Sequence, residues 1–143
     1  MKNFLSGLLF LLSMSAYAQK KPLVSQIKSE SLVNLLSSVD TVYFKESKEI
    51  RVVLYQVSNE SGSAHIPETD EVSTKFLIAV SEFGELPNQS LFSVGNFYDP
   101  RIIKFSALKS NDCLLQIEYG AYKNRKRMSF NISLNKITVV TGK

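Results

Sequence analysis

Glu60, His65, Glu68, Asp70 and Glu71 all fall between residues 59 and 74 and include the chain's single histidine. An imidazole beside a carboxylate can move protons in a hydrolytic reaction. Four carboxylates in one segment offer the hard oxygen ligands that Ca²⁺ takes. The spacing matches neither chemistry closely. Zinc sites commonly use three or more protein ligands in fixed geometry, and the ligand periodicity of an EF-hand is absent. Gly62 and Pro67 sit inside the stretch, which therefore reads as an exposed loop between strands. Connections longer than about 12–15 residues are uncommon in compact domains unless they are functional or disordered. The expectation is a solvated loop with no metal. Glu60, Glu68, Asp70 and Glu71 are the candidates for calcium, and His65 with Glu68, Asp70 or Glu71 are the candidates for a hydrolase.

Lys123, Arg125, Lys126 and Arg127 form a second cluster, at the tip of a hairpin described below. Such a cluster can hold an acidic protein or glycan, or simply keep the hairpin soluble and discourage edge pairing. Phe92, Phe97 and Tyr98 lie near turns. Exposed together they would anchor a partner, and turned inward they would close the core. No aromatics are interleaved with the basic residues as base stacking would need. The chain contains no Gly-x-Ser-x-Gly, P-loop, dinucleotide-binding glycine motif or His-Glu-x-x-His, so none of those chemistries has its signature. No cofactor is implied. Asn59, Asn88 and Asn131 begin Asn-x-Ser sequons, which matter only where the matching transferase exists. Cys113 is the only cysteine, which excludes an intramolecular disulfide. Its apolar, alternating surroundings place it in the core as a small hydrophobe.

The elements that position these residues are mostly strands. Leu32, Leu35, Leu36 and Val39 recur at helical spacing, predicting one short helix with Ser29 as its cap. Val, Ile, Tyr and Phe then dominate residues 41–45, 50–58 and 75–83. Residues 50–58 are apolar on both parities, the pattern of a central strand covered on both faces. Residues 90–97 and 101–108 are shorter strands around a corner at Tyr98-Asp99-Pro100. Residues 113–122 and 127–134 alternate strictly, and folding the chain about Asn124/Arg125 pairs Ala121 with Met128, Tyr119 with Phe130, Ile117 with Ile132 and Leu115 with Leu134. A slip by one residue would turn a whole strand inside out. Residues 137–141 continue or follow the last strand. The expected fold is a small antiparallel β-sandwich with one short N-terminal helix, the alternative being a β-barrel.

The chain opens with Lys2, an apolar run over residues 4–12 and small residues at Ala16 and Ala18, the order of a secretory signal peptide. That run is well short of the roughly 20 residues needed to span a bilayer. Residues 1–18 are thus expected to be a leader cleaved before Gln19, leaving residues 19–143 as one exported domain, periplasmic or extracellular, with no transmembrane segment. Loss of Lys2 lowers the formal charge from +4 to +3, short of the concentrated positive charge of a nucleic-acid binder. The layout resembles that of many short exported proteins of bacterial envelopes. The expected function is a non-catalytic envelope binding module that engages a protein or glycan, with opposite charges on residues 59–74 and the basic tip orienting the partner. A small envelope hydrolase using His65 is the first alternative. A lipid or small-ligand carrier is the second, if the strands close around a cavity.

Overall fold

Eight strands and one helix account for the regular structure, in a computed structural model that describes residue 26 and residues 28–140. The expected leader, the cleavage point and the mature start at Gln19 lie outside the described residues. The helix α1 (Glu30–Ser37) leads into β1 (Val39–Glu46), β2 (Ile50–Ser58), β3 (Ser73–Glu82) and β4 (Gln89–Tyr98), which form one antiparallel sheet in that order. The second sheet is β5 (Arg101–Ala107), β6 (Cys113–Tyr119), β7 (Lys126–Ser133) and β8 (Lys136–Val140), again in chain order. Two separate four-stranded meanders exclude the closed-barrel alternative for the described strands, and the expected sandwich is what the chain forms. Among the described residues no helix is long and apolar enough to cross a membrane.

The core lies between the sheets. The first supplies Val52, Leu54, Phe76, Ile78 and Val80, the second Cys113, Leu115, Ile117, Phe130 and Ile132, all essentially without exposure. Alternation explains them, since residues two apart share a face of a strand. Phe97 joins the halves: its ring centroid lies 6.0 Å from that of Phe76, 4.9 Å from Tyr119 and 6.5 Å from Phe130. Phe97 reaches the interior through a bulge. Gly95 and Asn96 together oppose Lys75, so Val94 pairs with Phe76 and Phe97 with Thr74. The extra residue changes the parity, and Gly95 takes φ +125°, a conformation open to glycine.

Two expectations about local structure need correction. Ser29 stands at the helix N-cap, but its hydroxyl lies 3.2 Å from that of Ser31 and caps no backbone N–H. The β6–β7 hairpin turns earlier than expected. Tyr119 pairs with Lys126, Ile117 with Met128, Leu115 with Phe130 and Cys113 with Ile132, a four-residue slide along β7. Because the slide is even, every side chain keeps its predicted face. The polar partners separate the two registers. The observed one sets Glu118 opposite Arg127 and Gln116 opposite Ser129, and both pairs bond at 3.1 Å. The turn itself occupies residues 120–125, with Gly120 at φ +105° and the Asn124 N–H donating to the Ala121 carbonyl.

Candidate docking surface

The two sheets differ on their outer faces. In the second, the outward residues on the central strands are Leu114, Gln116 and Glu118 on β6 and Arg127, Ser129, Asn131 and Ser133 on β7, nearly all polar or charged. The exposed apolar side chains Ile103 and Val140 lie beside them on the edge strands. In the first, the outward residues run in apolar rows across the sheet. Phe44 pairs with Val53, Val53 with Ala79 and Ala79 with Leu91, while Val42 pairs with Tyr55 and Tyr55 with Leu77. Leu91 is 67 % exposed, Phe44 55 % and Val42 53 %, while Val53, Tyr55, Leu77 and Ala79 are half-buried. The apolar double parity of β2 led to the expectation of cover on both faces. Among the described residues cover is supplied on the inner face and at one end of the outer face, where the Ser38 carbonyl at the end of α1 accepts the Ser58 N–H and Val57 is buried.

Charge is confined to the ends of this face. At one end Glu46 and Arg51 pair at 3.0 Å. The Arg51 guanidinium also lies 5.7 Å from the Phe44 ring centroid and 5.5 Å from that of Phe83, within cation–π range. Lys75 stands at the other end, opposite Val57. Leu32, Val33 and Leu36 of α1 are exposed as well, and no residue of that helix is buried. Contiguous apolar surface of this kind marks an interaction site more often than scattered exposed residues do.

The expected site residues lie elsewhere, at the end of the sandwich beyond the loop from β2 to β3. His65 and Ser63 line one groove together with Tyr98, Tyr119, Asn124 and Lys126. The loop and the basic hairpin tip, far apart in sequence, therefore meet. The loop is held in place: the Ser73 N–H donates to the Ser63 hydroxyl at 2.8 Å, the Ala64 N–H to the Glu71 carbonyl at 3.1 Å, and the Asn59 amide to Ser73 Oγ and Asn96 Oδ1 at 2.9 and 3.0 Å. His65, Glu60, Glu68, Asp70 and Glu71 are exposed along it. Among the described residues no three His, Cys, Asp or Glu side chains converge to hold a metal ion.

Arg125 differs from its basic neighbours. Its side chain is only 10 % exposed and donates to Asp99 Oδ2 at 2.6 Å, Glu118 Oε2 at 3.1 Å, and the carbonyls of Asp99, Glu118 and Gly120 at 2.6, 3.2 and 3.0 Å. Arg127 is exposed and bonds Glu118 Oε1, leaving Lys123 and Lys126 outward beside it. Of the aromatic candidates, Phe97 is 6 % exposed, Phe92 packs against the core and Tyr98 is half-buried. The three do not form an exposed patch. Each sequon amide is already a donor, Asn59 as above, Asn88 to Glu82 Oε2 and Asn131 to Asp112 Oδ2. Cys113 is fully buried, and desolvation, helped by the Asp112 carboxylate and opposed by Lys45, pushes its thiol above the ordinary value of 9.0.

Sequence reasoning missed the outer face of the first sheet. The signal was present in Val42, Phe44, Val53, Tyr55, Leu77, Ala79 and Leu91, which fall on the parity opposite the core. No family model, characterised protein or solved structure matches this chain.

Proposed function

We propose that this protein is an exported, non-catalytic binding module of the cell envelope, and that it docks a protein partner on the outer face of the β1–β4 sheet. The observation that carries the reading is the contrast between the two outer faces. The central strands β6 and β7 of one sheet carry a polar exterior broken only by Leu114, with exposed Ile103 and Val140 on its edge strands. In the other sheet apolar rows run unbroken from edge strand to central strands. Removing apolar area from water contributes about 25 cal/mol per Å², so covering this face stabilises a complex. Lys123, Lys126 and Arg127 beside the loop carrying Glu60, Glu68, Asp70 and Glu71 supply charge of both signs at one end. Such charge acts on encounter rate and orientation more than on affinity.

A photo-cross-linking residue placed at Leu91 and, separately, at Gln116 tests this reading in the host's envelope extract. The expected result is one dominant adduct from position 91 and none from position 116. Equal labelling from both faces, or none from position 91, would refute it. Joint neutralisation of Lys123, Lys126 and Arg127 should slow capture without abolishing it.

A further inference from the structure

We infer that the partner on this face is a second copy of the same chain, packed sheet on sheet about a two-fold axis; the inference rests on the docking reading above. Four strands spaced about 4.8 Å apart make the face about 19 Å wide, and eight residues of strand make it about 26 Å long. That is about 500 Å² per copy and about 1,000 Å² across the pair, to which side-chain relief adds and from which the end covered by α1 subtracts, the size at which a specific interface begins. The centre of the face is uncharged, so an identical surface meets it without like-charge repulsion.

The ends are complementary as well. An axis lying between the two sheets and running across the strands reverses the strand direction of the second copy. It stacks β1 on β1 and β3 on β3. The Glu46 carboxylate and Arg51 guanidinium of one copy come to the same end as the Lys75 ammonium and Asp40 carboxylate of the other, so that charges of both signs meet there in equal number. Lys75 makes no ion pair within its own chain among the described residues, while Glu46 bonds only the Arg51 Nε through Oε1 and has its other oxygen to offer. Sheets stacked in this way pack about 10 Å apart, as within an ordinary sandwich. The self-complementary contact closes the assembly at two copies.

Sedimentation equilibrium of the purified chain from about 1 to 500 µM reads the association directly. Phe44→Asp and Leu91→Asp are the variants, because both side chains are already more than half exposed and lie outside the core. The expected result is a dimer at micromolar concentration, with its dissociation constant raised about a hundredfold by either substitution and the circular-dichroism spectrum unchanged. A monomer throughout the range, or a dimer that ignores both substitutions, overturns the inference. The position-91 cross-linker separates this from failure of the docking reading. A monomer whose cross-linker captures a different protein leaves that reading standing and removes self-association. A monomer whose cross-linker captures nothing, or only a segment of its own chain, removes both.

Discussion

Truncating Arg125 to alanine should loosen the joint between the two sheets. The β4–β5 corner passes through Asp99 at φ +43°, immediately before Pro100, a conformation disfavoured for a residue that precedes proline. Strain of this kind costs about 1–3 kcal/mol and persists only where the surroundings hold it. Arg125 is the holder. It binds both the carboxylate and the carbonyl of Asp99 while gripping Glu118 and Gly120 on the other strand pair. The Gly120 N–H donates to the Tyr98 carbonyl at 2.7 Å and completes the clasp.

Breaking a buried ion pair costs about 3–5 kcal/mol. Asp99 is nearly half exposed and Glu118 retains Arg127, so solvent recovers part of that loss. About 2–3 kcal/mol remains, seen as a lower urea midpoint and a melting temperature reduced by about 6–12 °C. Arg125→Lys keeps the charge but not the planar fork, and should restore less than half of the loss. Because the guanidinium is largely buried, the cost should survive 0.5 M salt, conditions in which an exposed pair contributes almost nothing. A cost under about 0.5 kcal/mol, or one that vanishes in salt, would refute the clasp.

Two further outcomes follow from the packing. A Cβ on Gly95 would lie 3.0 Å from both Phe97 Cδ2 and the Thr74 carbonyl oxygen, whereas one on Gly84, also at positive φ, meets nothing within 4 Å. In urea unfolding Gly95→Ala should therefore cost about 2 kcal/mol or more and Gly84→Ala about half of that, and equal costs would mean that the bulge has room to spare. The Cys113 thiol should resist alkylation in the folded protein and react on unfolding. Its folded pKa lies above the unfolded one, so the associated stability is complete below about pH 9 and is lost as pH rises toward the folded value; Cys113→Ala should flatten that alkaline decline, and an unchanged slope would assign it to another group.

Much of the fold was legible because it follows from parity. Alternation assigned Cys113, Leu115, Ile117, Phe130 and Ile132 to one face without knowledge of any partner strand. Register was less legible, because apolar pairs are interchangeable under an even slide. Glu118 opposite Arg127 and Gln116 opposite Ser129 distinguish the registers, and they required the polar face to be read with the same care as the core. Phe97 was obscure for a different reason. Its inward position depends on the bulge at Gly95, and a glycine inside a strand is the local mark of such a break. Arg125 could not be told from Lys126 or Arg127 by composition. Its burial depends on Asp99, which is distant in sequence and near only after the corner has formed.

The candidate site raises a separate question, whether the apolar exterior of the first sheet is needed for folding at all. The second sheet argues that it is not. Strands β6 and β7 bury one face as fully as β2 and β3 do, yet carry Gln116, Glu118, Ser129 and Asn131 on the other. A half-buried sheet is therefore sufficient in this molecule, and the rows from Phe44 to Leu91 and from Val42 to Leu77 add nothing to the core between the sheets. Left uncovered, they are an aggregation liability of the kind that edge charges and bulges guard against. Asp40, Lys45 and Glu46 on the β1 edge and the Gly95 bulge on the β4 edge limit sideways growth of the sheet, while neither blocks approach from above. A surface guarded at its margins and open over its centre is suited to one partner that covers it.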